Sequence, residues 1–151
     1  MIRLNIIFLI LNSLFFLSCS TPQVQQKDLS EQIKIVDVQA WINLMPGGPG
    51  SFHIIGVYEC TDTVECDEEL AVIKIFSDSE LIYELNQYSF TCESQIESTL
   101  KPIKHNFYTN PGIKLNDKIQ IVEKVDVKFI FDFDGSTIEK NSHGIILIRA
   151  Y

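Results

Sequence analysis

Four cysteines are the residues of this 151-residue chain whose type and spacing offer the most chemistry. Cys60 and Cys66 are separated by five residues, whereas a redox-active pair is typically separated by two. Their spacing favours a structural disulfide, which would close a small loop and stabilise the fold by about 2 kcal/mol. A disulfide that uses Cys92 is one alternative, and three reduced, packed thiols are the other. Cys19 stands apart, at the end of an apolar N-terminal run.

The histidines and acidic residues do not have the spacing of a metal site. His53, His105 and His143 are far apart, whereas zinc ligands usually come in close pairs. The acidic stretch 59–69 contains no glycine and lacks the alternating acidic residues of a calcium loop. The stretch 132–139 also does not match the calcium-loop pattern. The sequence therefore predicts no metal and no cofactor.

The chain also lacks the common motifs of nucleophilic catalysis and phosphate binding. G-x-S-x-G is absent, and the glycines at 47–50 are not followed by the lysine of a phosphate-binding loop. We therefore expect no enzymatic activity. The glycines and prolines instead predict a connection between strands, and an exposed loop on a rigid scaffold is a common recognition element. This candidate recognition loop consists of Met45, Pro46, Gly47, Gly48, Pro49 and Gly50. Trp41, four residues before the loop, is expected in the core, and a platform for a ligand is the alternative.

The elements that must position these residues are predicted to be strands. The strand pattern begins at Gln32: apolar residues alternate from Ile33, with one change of phase that indicates a bulge near Asp37. Alternation continues at 52–60, and apolar segments follow at 70–76 and 80–85. Tyr88, Phe90 and Cys92 are expected to share one face of a fifth strand.

The clearest alternation lies near the C-terminus. Apolar residues at every second position from Val125 to Phe133 predict a strand with one buried face. Asp134-Gly135 is a tight-turn signal, and Gly144–Tyr151 is the predicted return strand. About seven short strands with turns between them predict an all-β fold, a single antiparallel two-sheet sandwich over residues 32–151. The pattern resembles immunoglobulin-like and fibronectin-III-like modules of bacterial surface proteins.

The first 18 residues are predicted to be a helical signal peptide. Thirteen are apolar and Arg3 is the only charge, but the run is shorter than the about 20 residues that a spanning helix needs. Phe16-Leu17-Ser18-Cys19 resembles the lipobox of bacterial lipoproteins. The resemblance implies cleavage between Ser18 and Cys19, a diacylglycerol on the Cys19 thiol and an acyl chain, such as palmitate, on the new amine.

Residues 19–31 are predicted to be a flexible lipidated tether, because they are polar and show no periodicity. Ser20 in the second mature position resembles the pattern of lipoproteins that are sent to the outer membrane. We therefore expect a lipid-anchored protein of the bacterial cell envelope, at the outer membrane and facing the periplasm or the surface.

Charge limits the partners that the mature chain can bind. Loss of Arg3 leaves 11 bases against 20 acids, a net charge of −9, which disfavours nucleic acid. We expect this chain to be a binding or scaffold module. Apart from the membrane that holds its lipid, its expected partner is another envelope protein. The alternatives are a carrier with a small-ligand pocket between the sheets and a surface hydrolase with paired carboxylates.

Overall fold

The computed structural model describes residues 30–60, 70–95, 102–133 and 135–151. The predicted signal peptide, the cleavage site, Cys19, Cys66 and most of the tether lie outside these residues. Residues 30–32 are helical, and the first strand follows at once. The strands are β1 (Ile33–Asn43), β2 (Ser51–Cys60), β3 (Leu70–Ser77), β4 (Glu80–Asn86), β5 (Thr91–Gln95), β6 (Ile103–Tyr108), β7 (Ile113–Lys114), β8 (Lys124–Phe133) and β9 (Ser136–Ala150). A helix of one turn, α1 (Asp117–Gln120), precedes β8.

The all-β prediction is confirmed. In β8, side chains at alternate positions are buried because successive residues of a strand point to opposite faces. The predicted bulge in β1 is also present: Ile35 pairs with Tyr58 and Asp37 pairs with Val57, so Val36 is the extra residue. The bulge shifts the inward alternation by one residue, which is the phase change seen in the sequence.

The prediction of a purely antiparallel sheet is wrong. The strands follow the order β4-β3-β8-β9-β1-β2-β6-β5 in one curled sheet, a half-barrel, with β7 paired to the end of β2. β1 and β9 pair in parallel, from Ala40 with Leu147 to Asn43 with Ala150. The other pairs of neighbouring strands are antiparallel. A parallel pair needs no local turn, so the alternation within each strand could not predict it.

Aromatic side chains fill the interior of the curl. Phe107 on β6 meets Phe129 on β8 edge to face, with 5.3 Å between ring centroids. Tyr58 on β2 meets Phe131 in the same way at 5.2 Å. These contacts hold the β2–β6 side of the sheet against the β3–β8 side, and edge-to-face geometry is the favoured one for aromatic pairs.

One close approach of two strands depends on a glycine. A side-chain carbon at position 56 would lie 2.5 Å from the carbonyl oxygen of Asp37, beside the bulge, and would also overlap the ring of Phe107. Gly56 therefore lets β1 and the Phe107 ring come together over β2.

Among the described residues, the structure contains no helix with the length and apolarity to cross a membrane.

Candidate functional site

The parallel pairing of β1 and β9 brings the candidate recognition loop beside the C-terminus. Both strands end at the same end of the sheet, at Asn43 and Ala150. The Leu44 N–H donates to the Ala150 carbonyl at 2.7 Å, which continues the pairing into the loop. We call this end, formed by residues 44–50, 110–121 and Tyr151, the distal end, because β1 enters the sheet at the opposite end.

The loop from Met45 to Gly50 joins β1 to β2 and lies on the surface. Its first turn is held by Asn43, whose side-chain oxygen accepts the Met45 N–H at 3.0 Å. Gly47 has a φ of +106°, a backbone conformation that side chains disfavour. At the end of the loop, Gly50 lies so close to Leu115 that a side-chain carbon would overlap it. The loop is therefore anchored at both ends and exposed between them.

The remaining segments of the distal end are tied together by hydrogen bonds. Tyr83 on β4 donates its hydroxyl to the Lys114 carbonyl at 3.0 Å and accepts the Asn116 N–H at 2.9 Å. Burial raises the pKa of this hydroxyl, and its backbone hydrogen bond with Asn116 opposes the shift. The Arg149 guanidinium donates to the carbonyls of Gln120, at 3.2 Å, and Val122, at 2.8 Å. These bonds fix α1 and the C-terminal strand relative to each other.

The distal end exposes large apolar side chains. Met45 is 56% exposed, Tyr151 80% and Ile121 83%. They come from three segments that are distant in sequence. Hydrogen bonds of Leu44 with Ala150, and of Arg149 with Gln120 and Val122, join these segments, so the three residues lie on adjoining parts of the chain. Exposed apolar patches are typical of protein-binding surfaces.

A second group of rings lies on the outer, convex face of the sheet. Trp41 and His53 face each other across β1 and β2 and stack with centroids 5.0 Å apart and an interplanar angle of 2°. His53 Nε2 and the Ser51 hydroxyl are 2.8 Å apart. The expectation that Trp41 belongs to the core is wrong: the bulge in β1 sets its inward positions at Ala40 and Ile42, so Trp41 points outward.

The serine and histidine of this group are the nearest approach to a catalytic pair. Ser51 and His53 are adjacent because residues two apart on a strand share a face. A nucleophilic serine also needs a third group to orient the histidine and donors for the oxyanion. Within the described segments, the only hydrogen bond of the His53 ring is with Ser51, so the pair does not extend to a triad there.

A buried polar cluster lies on the inner face, at the β2–β6–β5 end of the sheet. His105, whose environment the sequence did not predict, is 1% exposed and stacks on Tyr58 at 4.9 Å. Its Nδ1 lies 3.2 Å from the Ser94 hydroxyl. Burial raises the pKa of the neighbouring Cys92 thiol to about 11, although a hydrogen bond with Tyr58 opposes the shift. These groups are packed inside the fold, and the Cys92 thiol is free and poorly reactive.

The described residues test only some of the predictions made for the cysteines and for metal binding. Cys60 is disulfide-bonded, but Cys66 lies outside the described residues, so the pairing of Cys60 with Cys66 stays a prediction. Cys92 is free, so the alternative disulfide through Cys92 is not formed. Most of the acidic stretch 59–69 is also outside the described residues. In the parts of the chain that are described, no three histidine, cysteine, aspartate or glutamate side chains are grouped to hold a metal.

The remaining acidic and histidine candidates have structural contacts. Asp132 accepts the Gly135 N–H at 3.2 Å, as a turn residue. Asp126 accepts the Gly144 N–H at 2.8 Å, and His143 Nδ1 lies 3.5 Å from the same carboxylate. The Gly144 hydrogen bond, more than His143, lowers the pKa of Asp126.

Comparisons of the chain with protein-family models, with curated proteins and with solved structures give no match. The fold and its surfaces define the class instead: an all-β half-barrel with an anchored surface loop at one end.

Proposed function

We propose that this chain is a lipid-anchored binding module of the bacterial cell envelope, which holds another envelope protein at its distal end. The observation that carries the proposal is the exposure of Met45, Ile121 and Tyr151 on segments that hydrogen bonds join at the distal end. A loop that is anchored at both ends loses less conformational freedom on binding than a free one, so more of the contact energy remains as affinity.

The direction of β1 supports this proposal. Ile33, the first residue of β1, follows the predicted tether, and Asn43, the last, leads into the loop. Eleven residues of strand span about 36 Å at about 3.3 Å per residue. A lipid on Cys19 would therefore tether the chain at the end of β1 that lies farther from the recognition loop, which leaves the loop free to meet a partner.

The immunoglobulin-like sandwich remains a proposal about the finer fold. In its favour, the aromatic contacts Phe107–Phe129 and Tyr58–Phe131 join two sides of the sheet, as side chains do between the layers of a sandwich. The same contacts fill the interior, and this favours a binding scaffold over the alternative of a small-ligand carrier. A surface hydrolase is less well supported, because Ser51 and His53 alone do not make a triad.

The distal end is tested by photocrosslinking in living cells that express the full chain. A benzophenone amino acid is placed at position 45, and a matched control carries it at position 88, because Tyr88 is 90% exposed but lies in the β4–β5 turn. We expect one discrete adduct with another envelope protein from position 45 and not from position 88. Absence of such an adduct, or the same adducts from both positions, would contradict the proposal.

The anchor is tested separately by fractionation. Cys19→Ala is expected to remain unprocessed or to leave the membrane fraction, and to lose the position-45 adduct if the partner is reached at the membrane. Membrane fractionation identical to that of the unsubstituted chain would contradict the anchor.

A further inference from the structure

The first part of β9 forms an edge of the sheet. Residues 136–146 pair with β8 on one side, and pairing with β1 on the other side is confined to residues 147–150. Among the described residues, no strand pairs with that other side of residues 136–146, which we call the open edge. It is longer than β4 or β5, the strands at the two ends of the sheet order. A long edge presents backbone N–H and C=O groups to which a strand of another chain can bond.

Lys140 occupies an inner position of the open edge. It pairs with Phe129 on β8, which is 0% exposed, and directly opposed residues of two strands share a face of the sheet. The next inner positions of β9 are Ile138, which is buried, and Ser142, which is half-buried. The inner residues of β8 are all apolar. Lys140 therefore lies where the alternation predicts an apolar side chain.

The Lys140 side chain reaches from β9 to the start of β1. Its half-buried Nζ donates to the carbonyl oxygen of Ser30, and no described carboxylate forms an ion pair with it. By contrast, Lys128 on the outer face of β8 pairs with the Glu139 carboxylate at 2.8 Å. An ammonium without a carboxylate partner depends on water for its solvation, so Lys140 remains charged at little cost only while water reaches this edge.

We propose that Lys140 prevents the open edge from pairing with the same edge of a second copy of this chain. A strand added to the open edge would cover the inner side chain of Lys140 and exclude water from its ammonium. A buried charge without a partner is costly, and inward-pointing charged side chains are one of the means by which edge strands avoid pairing. An apolar residue at position 140 would extend the core but would leave the edge open to the second copy.

The membrane makes this protection more important, and this step alone rests on the proposed anchor. Copies that are confined to one membrane meet at a higher effective concentration than copies in free solution. An unprotected edge would therefore pair more readily between anchored chains.

The proposal is tested in bacterial cells that express the full chain with the benzophenone amino acid at position 137, an exposed position of the open edge. The unchanged chain is compared with Lys140→Ile and with a matched control, Lys128→Ile. Lys128 lies in a strand whose two sides are already paired with β3 and β9, so its replacement opens no edge. We expect Lys140→Ile to increase an adduct of twice the monomer mass by about tenfold or more, and Lys128→Ile to leave it unchanged.

Three results would overturn the proposal: a strong double-mass adduct from the unchanged chain, no increase in Lys140→Ile, or an equal increase in Lys128→Ile. The last result would mean that added apolar surface alone causes the association. Circular dichroism checks that each variant folds. Lys140→Gln keeps a donor for the Ser30 carbonyl and removes the charge, so it replaces Lys140→Ile if that variant does not fold, and no increase there would also overturn the proposal. The adduct from position 45 reports on the distal end separately, so its loss would reject the proposed function without affecting this result.

Discussion

Gly56→Ala is expected to destabilise the fold strongly, because the added carbon has no space. It would lie 2.5 Å from the Asp37 carbonyl oxygen and would overlap the buried ring of Phe107. The carbonyl belongs to the backbone of the bulge and cannot rotate away as a side chain can. Overpacking of this kind typically costs about 1–3 kcal/mol, and we expect the upper half of that range.

Urea unfolding of Gly56→Ala measures this cost, and Gly48→Ala is the matched control. No atom lies within 4 Å of a side-chain carbon at position 48, and its φ is not in the left-handed region. We expect a decrease of about 2–3 kcal/mol in the free energy of unfolding for Gly56→Ala and a change within about 0.5 kcal/mol for the control. A Gly56→Ala chain as stable as the control would refute the close approach of β1, β2 and β6 described above.

Three further perturbations test single contacts. Tyr83→Phe is expected to lower the free energy of unfolding by about 1–2 kcal/mol, since it leaves two backbone groups of the distal end without their partner. The control, Tyr108→Phe, removes an exposed hydroxyl and should change the free energy of unfolding little. Equal effects of the two variants would contradict the role of Tyr83. With its pKa raised to about 11, the native Cys92 thiol should react with iodoacetamide at pH 8 about two-hundredfold more slowly than a free cysteine, and peptide mass spectrometry that shows labelling as fast as in urea would contradict this. Because the Gly144 N–H lowers the pKa of Asp126, this carboxylate contributes stability above its unfolded pKa, and the contribution is lost as pH falls through its folded pKa. Asp126→Asn should therefore flatten the decline in the free energy of unfolding below about pH 4. An unchanged pH profile would refute the contribution of Asp126.

The strands were predictable where one face is buried and the other is exposed to solvent. The alternation of 125–133 predicts β8 almost to the residue, and the phase change near Asp37 predicts the bulge. The return strand was predicted from Gly144 but begins at Ser136, because the polar residues of its first half are held by pairing with β8 and not by burial. Tyr88, predicted to lie in a strand, is in the exposed β4–β5 turn, since the short sequence between Asn86 and Thr91 must reverse direction.

The arrangement of the surfaces was not predictable from local pattern. A strand's own sequence does not specify which distant strand it joins, so the parallel pairing of β1 with β9 could not be inferred. Without that pairing, the sequence alone indicated the 45–50 loop but not the hydrogen bond that joins Leu44, just before it, to Ala150. The outward position of Trp41 follows from the bulge, and an alternation count from Ala40 and Ile42 is the signal that would have found it.

The distal end, with Met45 and Tyr151, is proposed to hold another envelope protein. This role depends on a membrane that carries the chain through its tether, at the end of β1 that lies farther from the recognition loop. The anchor at Cys19 is therefore the claim on which the rest depends.

Mass spectrometry of the N-terminal peptide, taken from the protein extracted from bacterial membranes, tests that anchor most directly. We expect a chain that begins at Cys19 and carries a diacylglycerol on the thiol, with an acyl group on the amine. A chain that begins at Met1 with an unmodified thiol at Cys19 would contradict the anchor, and with it the envelope role proposed for the distal end.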